Sequence, residues 1–149
     1  MADMLIKIGA IVGLVTGIFT VWDRLARWRP IAYIFATIPG STYIRIKNLG
    51  QVDVIVRHIQ AHPPTFNIAT DDSVHAIVSG MIDRLPPSVI DPQGKRDFLV
   101  FMHPTPPDNA RSQRVRFVIH WRKASSTWLP QFPVFPFTTT ADIRNMAKG

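Results

Sequence analysis

Cysteine and glutamate are both missing from this 149-residue chain. The lack of thiols excludes a disulfide framework, thiolate chemistry and any thiolate metal site. With no glutamate, all ten acids are aspartates and the HExxH signature of zinc hydrolases is absent. Negative charge is scarce as well: 17 Lys and Arg face those ten Asp, giving a formal net charge of +7 and a pI of about 10.6. Phosphate-cradling glycine loops are lacking, and no nucleophile elbow surrounds Ser79-Gly80 or Ser125-Ser126. All thirteen prolines fall beyond residue 28, too densely for long helices there.

What polar chemistry remains does not assemble into a site. His58 and His62 are four apart, but their segment reads as a strand running into Pro63, not as a helix presenting both rings to one metal. His75, His103 and His120 are scattered. Asp71-Asp72 with Asp83 lacks the spacing and loop glycine of an EF-hand and reads as a turn and a helix cap. No enzymatic activity, metal or cofactor is expected.

One long apolar run stands at the start. Met4–Trp22 reads MLIKIGAIVGLVTGIFTVW, about the 20 residues that cross a hydrocarbon core. Its one charge, Lys7, lies near the outer end, where the side chain can snorkel to the interface. Trp22 and Trp28 suit an interfacial belt, Arg24, Arg27 and Arg29 form a basic flank, and Pro30 stops the helix. The basic start of a signal peptide is minimal and no A-x-A site follows, so an uncleaved single-pass transmembrane helix is expected over residues 1–30. The flanking arginines place the C-terminal domain on the cytoplasmic side.

Within this run Gly9, Gly13 and Gly17 recur at every fourth position, and Thr16 and Thr20 fall beside them. Ile11, Leu14, Val15, Ile18 and Trp22 take the opposite side. Glycine costs roughly 1 kcal/mol relative to alanine in a helix interior. Lipid tails are as apolar as leucine, so bilayer helices associate through small residues that let backbones approach. The stripe therefore reads as a helix-packing surface. A plain anchor, or a helix buried in a soluble fold, are the other readings of the same residues.

From residue 31 the pattern changes to short alternating segments rich in Val, Ile, Phe and Thr. Strands are expected at Ile31–Ile38, Thr42–Lys47, Val52–Gln60, Thr65–Ala69, Phe98–Met102, Arg114–Trp121 and Phe132–Thr138. In RVRFVIHW, Val115, Phe117 and Ile119 point one way and Arg114, Arg116 and His120 the other. Turn signals at Pro39-Gly40, Asn48–Gly50, Pro63-Pro64, Pro86-Pro87, Asp91–Gly94 and Pro104–Asn109 separate them. Asp72–Arg84 reads equally as a short helix or a strand, and Thr140–Met146 as a last short helix. About seven short strands at this spacing indicate an antiparallel β-sandwich over residues 31–149. NLGQVDVIV and IDPQGKRDFLVF together resemble a recurrent pattern of immunoglobulin-like bacterial sandwiches, in which an N-x-G turn precedes one strand and a P-x-G turn a later one. The resemblance implies the fold and no activity.

Residues 31–149 carry 13 Lys and Arg against eight Asp. Arg111, Arg114, Arg116, Arg122 and Lys123 are the densest group and form a candidate contact for an anionic ligand or lipid. No nucleic-acid module is recognisable. The Pro/Phe-rich tail WLPQFPVFPF is expected as an edge strand or arm, because proline cannot donate to a sheet ladder. These features describe a non-catalytic membrane-anchored subunit that associates through its glycine-striped helix, with lipid and itself or other membrane subunits as partners. In layout the chain is also similar to short bacterial defence effectors that disrupt membranes. A structural protein of a particle or envelope is a third reading.

Overall fold

A computed structural model describes residues 2–27, 29–38, 41–82, 85–103, 113–126 and 133–146. Helix α1 (Ala2–Arg27) runs for 26 residues, about 39 Å at 1.5 Å per residue. Its described side chains are Lys7 and residues 9–21, all exposed. Ile11, Val12, Leu14, Val15, Ile18, Phe19 and Val21 are each 58–70% exposed, so none of the described side chains of α1 is buried against the rest of the chain. The expected transmembrane span is not matched there: among the described residues no helix is long and apolar enough to cross a membrane. Met4–Ile6, Ile8 and Trp22, which complete the expected run, lie outside the described side chains.

The remainder is mainly β. Strands β1 (Ile31–Ile38), β2 (Ser41–Lys47), β3 (Val54–His62) and β4 (Phe66–Ala69) come first, then helix α2 (Val74–Met81). Strands β5 (Ser88–Ile90), β6 (Lys95–Met102), β7 (Arg114–Lys123) and β8 (Phe137–Thr139) follow, and helix α3 (Thr140–Met146) comes last. They form two antiparallel four-stranded sheets, ordered β1-β2-β6-β4 and β5-β3-β7-β8. Alternation decides which side chains face inward. Ile44 and Ile46 of β2, Phe98 and Val100 of β6, and Phe66 and Ile68 of β4 meet Val54, Val56 and Ile59 of β3 and Val115, Phe117 and Ile119 of β7 in one core. Phe66 and Phe117 touch across the two sheets with ring centroids 6.5 Å apart.

In β3 the alternation changes phase. Val54 and Val56 face inward, but so do Ile59 and Ala61. Against β7 the register passes from Val56↔Trp121 to His58↔His120, so Arg57 is the extra residue of a β-bulge. The ambiguous segment is a helix. Ser73 is its N-cap, accepting from the Ala76 N–H at 3.2 Å, while Asp71 accepts from the Ser73 N–H at 2.8 Å. α2 lies against edge strand β4 so closely that a methyl group at Gly80 would overlap the Ile68 carbonyl. That contact needs glycine.

The two turns singled out in the sequence dock on each other. Asn48 is fully buried, and its Nδ2 donates to the carbonyls of Val52, Ile90 and Asp91 at 2.9–3.2 Å. Its Oδ1 accepts from the Gly50 N–H at 2.9 Å. The backbones join as well, with Asn48 N–H donating to Gly94 O at 2.9 Å. Gln93, at φ 58°, donates through Nε2 to Leu49 O at 2.8 Å. One stretch crosses from β2 to β3 and the other from β5 to β6, so a single asparagine staples two crossings between the sheets.

Candidate functional site

Two surfaces carry the residues expected to be functional, and a cleft adds a third candidate. The first is α1. A Cβ placed at Gly9, Gly13 or Gly17 meets nothing within 4 Å, so the stripe has no partner among the described residues. The hydroxyls of Thr16 and Thr20 donate back to the carbonyls of Val12 and Thr16, both at 2.8 Å. Their polarity is satisfied inside the helix, which leaves the stripe small and effectively apolar. At the base of the helix, Arg29 Nη2 donates to Pro133 O at 3.0 Å. Trp28 and the side chains of Trp22, Arg24 and Arg27 lie outside the described residues.

The second surface is the outer face of the β5-β3-β7-β8 sheet. Arg114 and Arg116 leave β7 on this face, two residues apart and exposed, about 7 Å from each other along the strand. Each guanidinium rests over a phenylalanine of the C-terminal arm, Arg114 on Phe137 at 4.8 Å and Arg116 on Phe135 at 5.4 Å. Such stacking holds a cation in place without neutralising it. The register adds His62 opposite Arg116 and His58 opposite His120, the last two with ring centroids 6.3 Å apart.

The expected basic group is thus divided. Arg122 and Lys123 sit at the other end of β7, eight residues from Arg114, about 27 Å along an extended strand. Both are half-buried, and burial pushes the Lys123 ammonium below its ordinary pKa. The Arg122 Nε is buried without a hydrogen-bond partner. Arg111 lies outside the described residues. Sequence reading missed Phe135 and Phe137 as the supports of the two arginines. The available signal was FPVFPF, whose spacing matches that of RVR in the strand it pairs with.

Third, a cleft of about 270 Å³ opens between β3 and β4, lined by Ile59, Phe66, Ile68, Met81 and Leu85, with His62 and His103 at its polar side. Among the described residues its lining holds no carboxylate, hydroxyl or thiol. Among the described residues no group of three His or Asp is placed to hold a metal.

Elsewhere, the opposite sheet carries an ion pair. Arg45 grips Asp97 through two bonds of 2.7 Å and lies over the Phe35 ring at 4.2 Å. Its pKa is raised by the hydrogen bonds to Asp97 and Tyr33. This row spans β1, β2 and β6 and ties strands together. No protein-family model matches the chain, and no curated protein is significantly similar to it.

Proposed function

We propose that the chain is a non-catalytic, membrane-associated subunit in which α1 packs against other helices within the bilayer and the sandwich is displayed at its surface. The observation that carries this reading is the exposure of every described side chain of α1. A helix segment that is apolar all round is stable only when lipid or other protein surrounds it, and no described side chain from residue 9 to 21 is covered. The open glycine stripe supports lateral packing over simple anchoring, since an anchor alone gains nothing from three glycines. Sheet order supports the immunoglobulin-like assignment. With the three-residue β5 set aside, β1-β2-β6-β4 and β3-β7-β8 correspond to the A-B-E-D and C-F-G sheets of constant-type domains.

The test is alkaline extraction of membranes from cells expressing the full chain, followed by chemical crosslinking. The expected result is retention in the membrane pellet and a defined ladder, which Gly9→Leu/Gly13→Leu/Gly17→Leu abolishes while leaving retention intact. Release into the alkaline supernatant with the ladder preserved would instead favour burial of α1 among protein neighbours, as in a particle. Toxicity on expression that the leucine variant relieves would favour a membrane-disrupting effector.

A further inference from the structure

We propose that the corner of the sandwich formed by β7 and β8 is a docking surface for an anionic bilayer, an inference that rests on the membrane reading of α1. It begins with charge. The rows of this face are Arg114–Thr139, His62–Arg116–Phe137, Gln60–Val118 and His58–His120, and no carboxylate lies in them. Asp142, which follows β8, is occupied locally, accepting from the Thr139 N–H at 3.2 Å and its hydroxyl at 2.7 Å. Against the single carboxylate of Asp142 this corner presents Arg114 and Arg116, both exposed and neither joined to a carboxylate among the described residues, so lipid phosphates are the complementary partner.

Apolar surface stands beside that charge. Phe135 and Phe137 are 41% and 53% exposed while stacked with the two guanidiniums. Cations held over exposed rings suit the boundary between headgroups and acyl chains, where apolar bodies bury and charged ends stay wet. The same stacking disfavours a single-stranded nucleic acid, which needs free ring faces for its bases. Position is the third observation. Arg29, at the base of α1, is hydrogen-bonded to Pro133, and the chain then runs through Phe135 and Phe137 into β8. This joins the arm that carries both rings to the segment that leads out of α1.

The chain has no cysteine, so single reporter sites can be introduced cleanly. The full chain would be reconstituted in vesicles of phosphatidylcholine alone and in vesicles that also contain phosphatidylglycerol. An environment-sensitive fluorophore would be attached at Gln60→Cys on the proposed face, or at Val74→Cys on α2. The expected result is a blue shift at position 60 only, only with phosphatidylglycerol, and reversed by salt. Arg114→Gln/Arg116→Gln should lower the docked-to-undocked ratio about 30-fold, from roughly 1 kcal/mol for each cation near an anionic surface. Arg114→Lys/Arg116→Lys should largely keep the shift, which separates charge from damage to the strand. The inference is overturned if position 60 reports the same environment in both vesicles, if the glutamine pair leaves the shift intact, or if position 74 shifts equally. A shift produced by a single-stranded oligonucleotide in neutral vesicles would also overturn it. Alkaline extraction of the same vesicles reads α1 separately. Retention without the shift removes the docking face alone, and the shift without retention removes the anchor alone.

Discussion

At Asn48 one side chain answers four backbone groups drawn from two crossings between the sheets. Its amide supplies the carbonyls of Val52, Ile90 and Asp91 and takes the Gly50 N–H. Asn48→Ala removes this partner from all four, one bond fully buried and three partly so, and an unsatisfied buried polar group costs about 1–3 kcal/mol. The loss of stability expected from this substitution is about 2–4 kcal/mol, read as a lower urea midpoint by Trp fluorescence. Asn48→Asp should not rescue it, because an ionised carboxylate cannot donate to carbonyls. Both turns were legible as N-x-G and P-x-G patterns. Their meeting was not, because Asn48 and Asp91 lie 43 residues apart, and turn chemistry specifies local backbone shape but not which other turn it will touch.

Among the elements, α2 depends on its first turn. The Asp71 carboxyl is held below its ordinary pKa of 3.8, chiefly by the Ser73 hydroxyl and then by the Ser73 N–H. A carboxyl depressed on folding stabilises the fold above its unfolded pKa, and that contribution is lost as pH falls through the lower folded value. Amide exchange in α2 is therefore expected to accelerate relative to the core strands as pH drops below about 4, and Asp71→Asn should flatten that acid dependence. Elements with clear alternation were read correctly from sequence, as the inward Val115, Phe117 and Ile119 of β7 show. Phase was lost where Arg57 bulges, since one inserted residue exchanges the faces beyond it. β5 escaped notice because three residues behind Pro86-Pro87 hold too little pattern to count. The C-terminal arm pairs for less of its length than expected: β8 is three residues, with Val134 joined to Ile119 by a single bridge.

On the scale of the molecule, one core serves both sheets, and Phe117 lies at 0% exposure within it. Phe117→Ala is expected to cost about 3–5 kcal/mol. Because the cluster is shared, the loss should appear as a single transition in both sheets, with amides of β2 and β7 exchanging together. Separate transitions would show that the sheets stabilise themselves independently. The cationic face was half visible from sequence, since alternation alone puts Arg114 and Arg116 on one side. Its aromatic half was hidden because pairing between β7 and β8 comes from tertiary packing, as does the separation of Arg122 and Lys123 from it.

The way α1 joins the sandwich also has a mechanical consequence. The helix leads into Ile31, and Ile31 pairs with Lys47 at the open end of the β1–β2 hairpin. A pull transmitted along α1 meets that hairpin at its unzipping end, where hydrogen bonds are loaded one after another instead of in parallel. Ahead of the first strand stands the bond from Arg29 to Pro133. Under tension this bond would yield first and β1 would peel next, while the Asn48 staple beyond Lys47 would keep the remaining strands together.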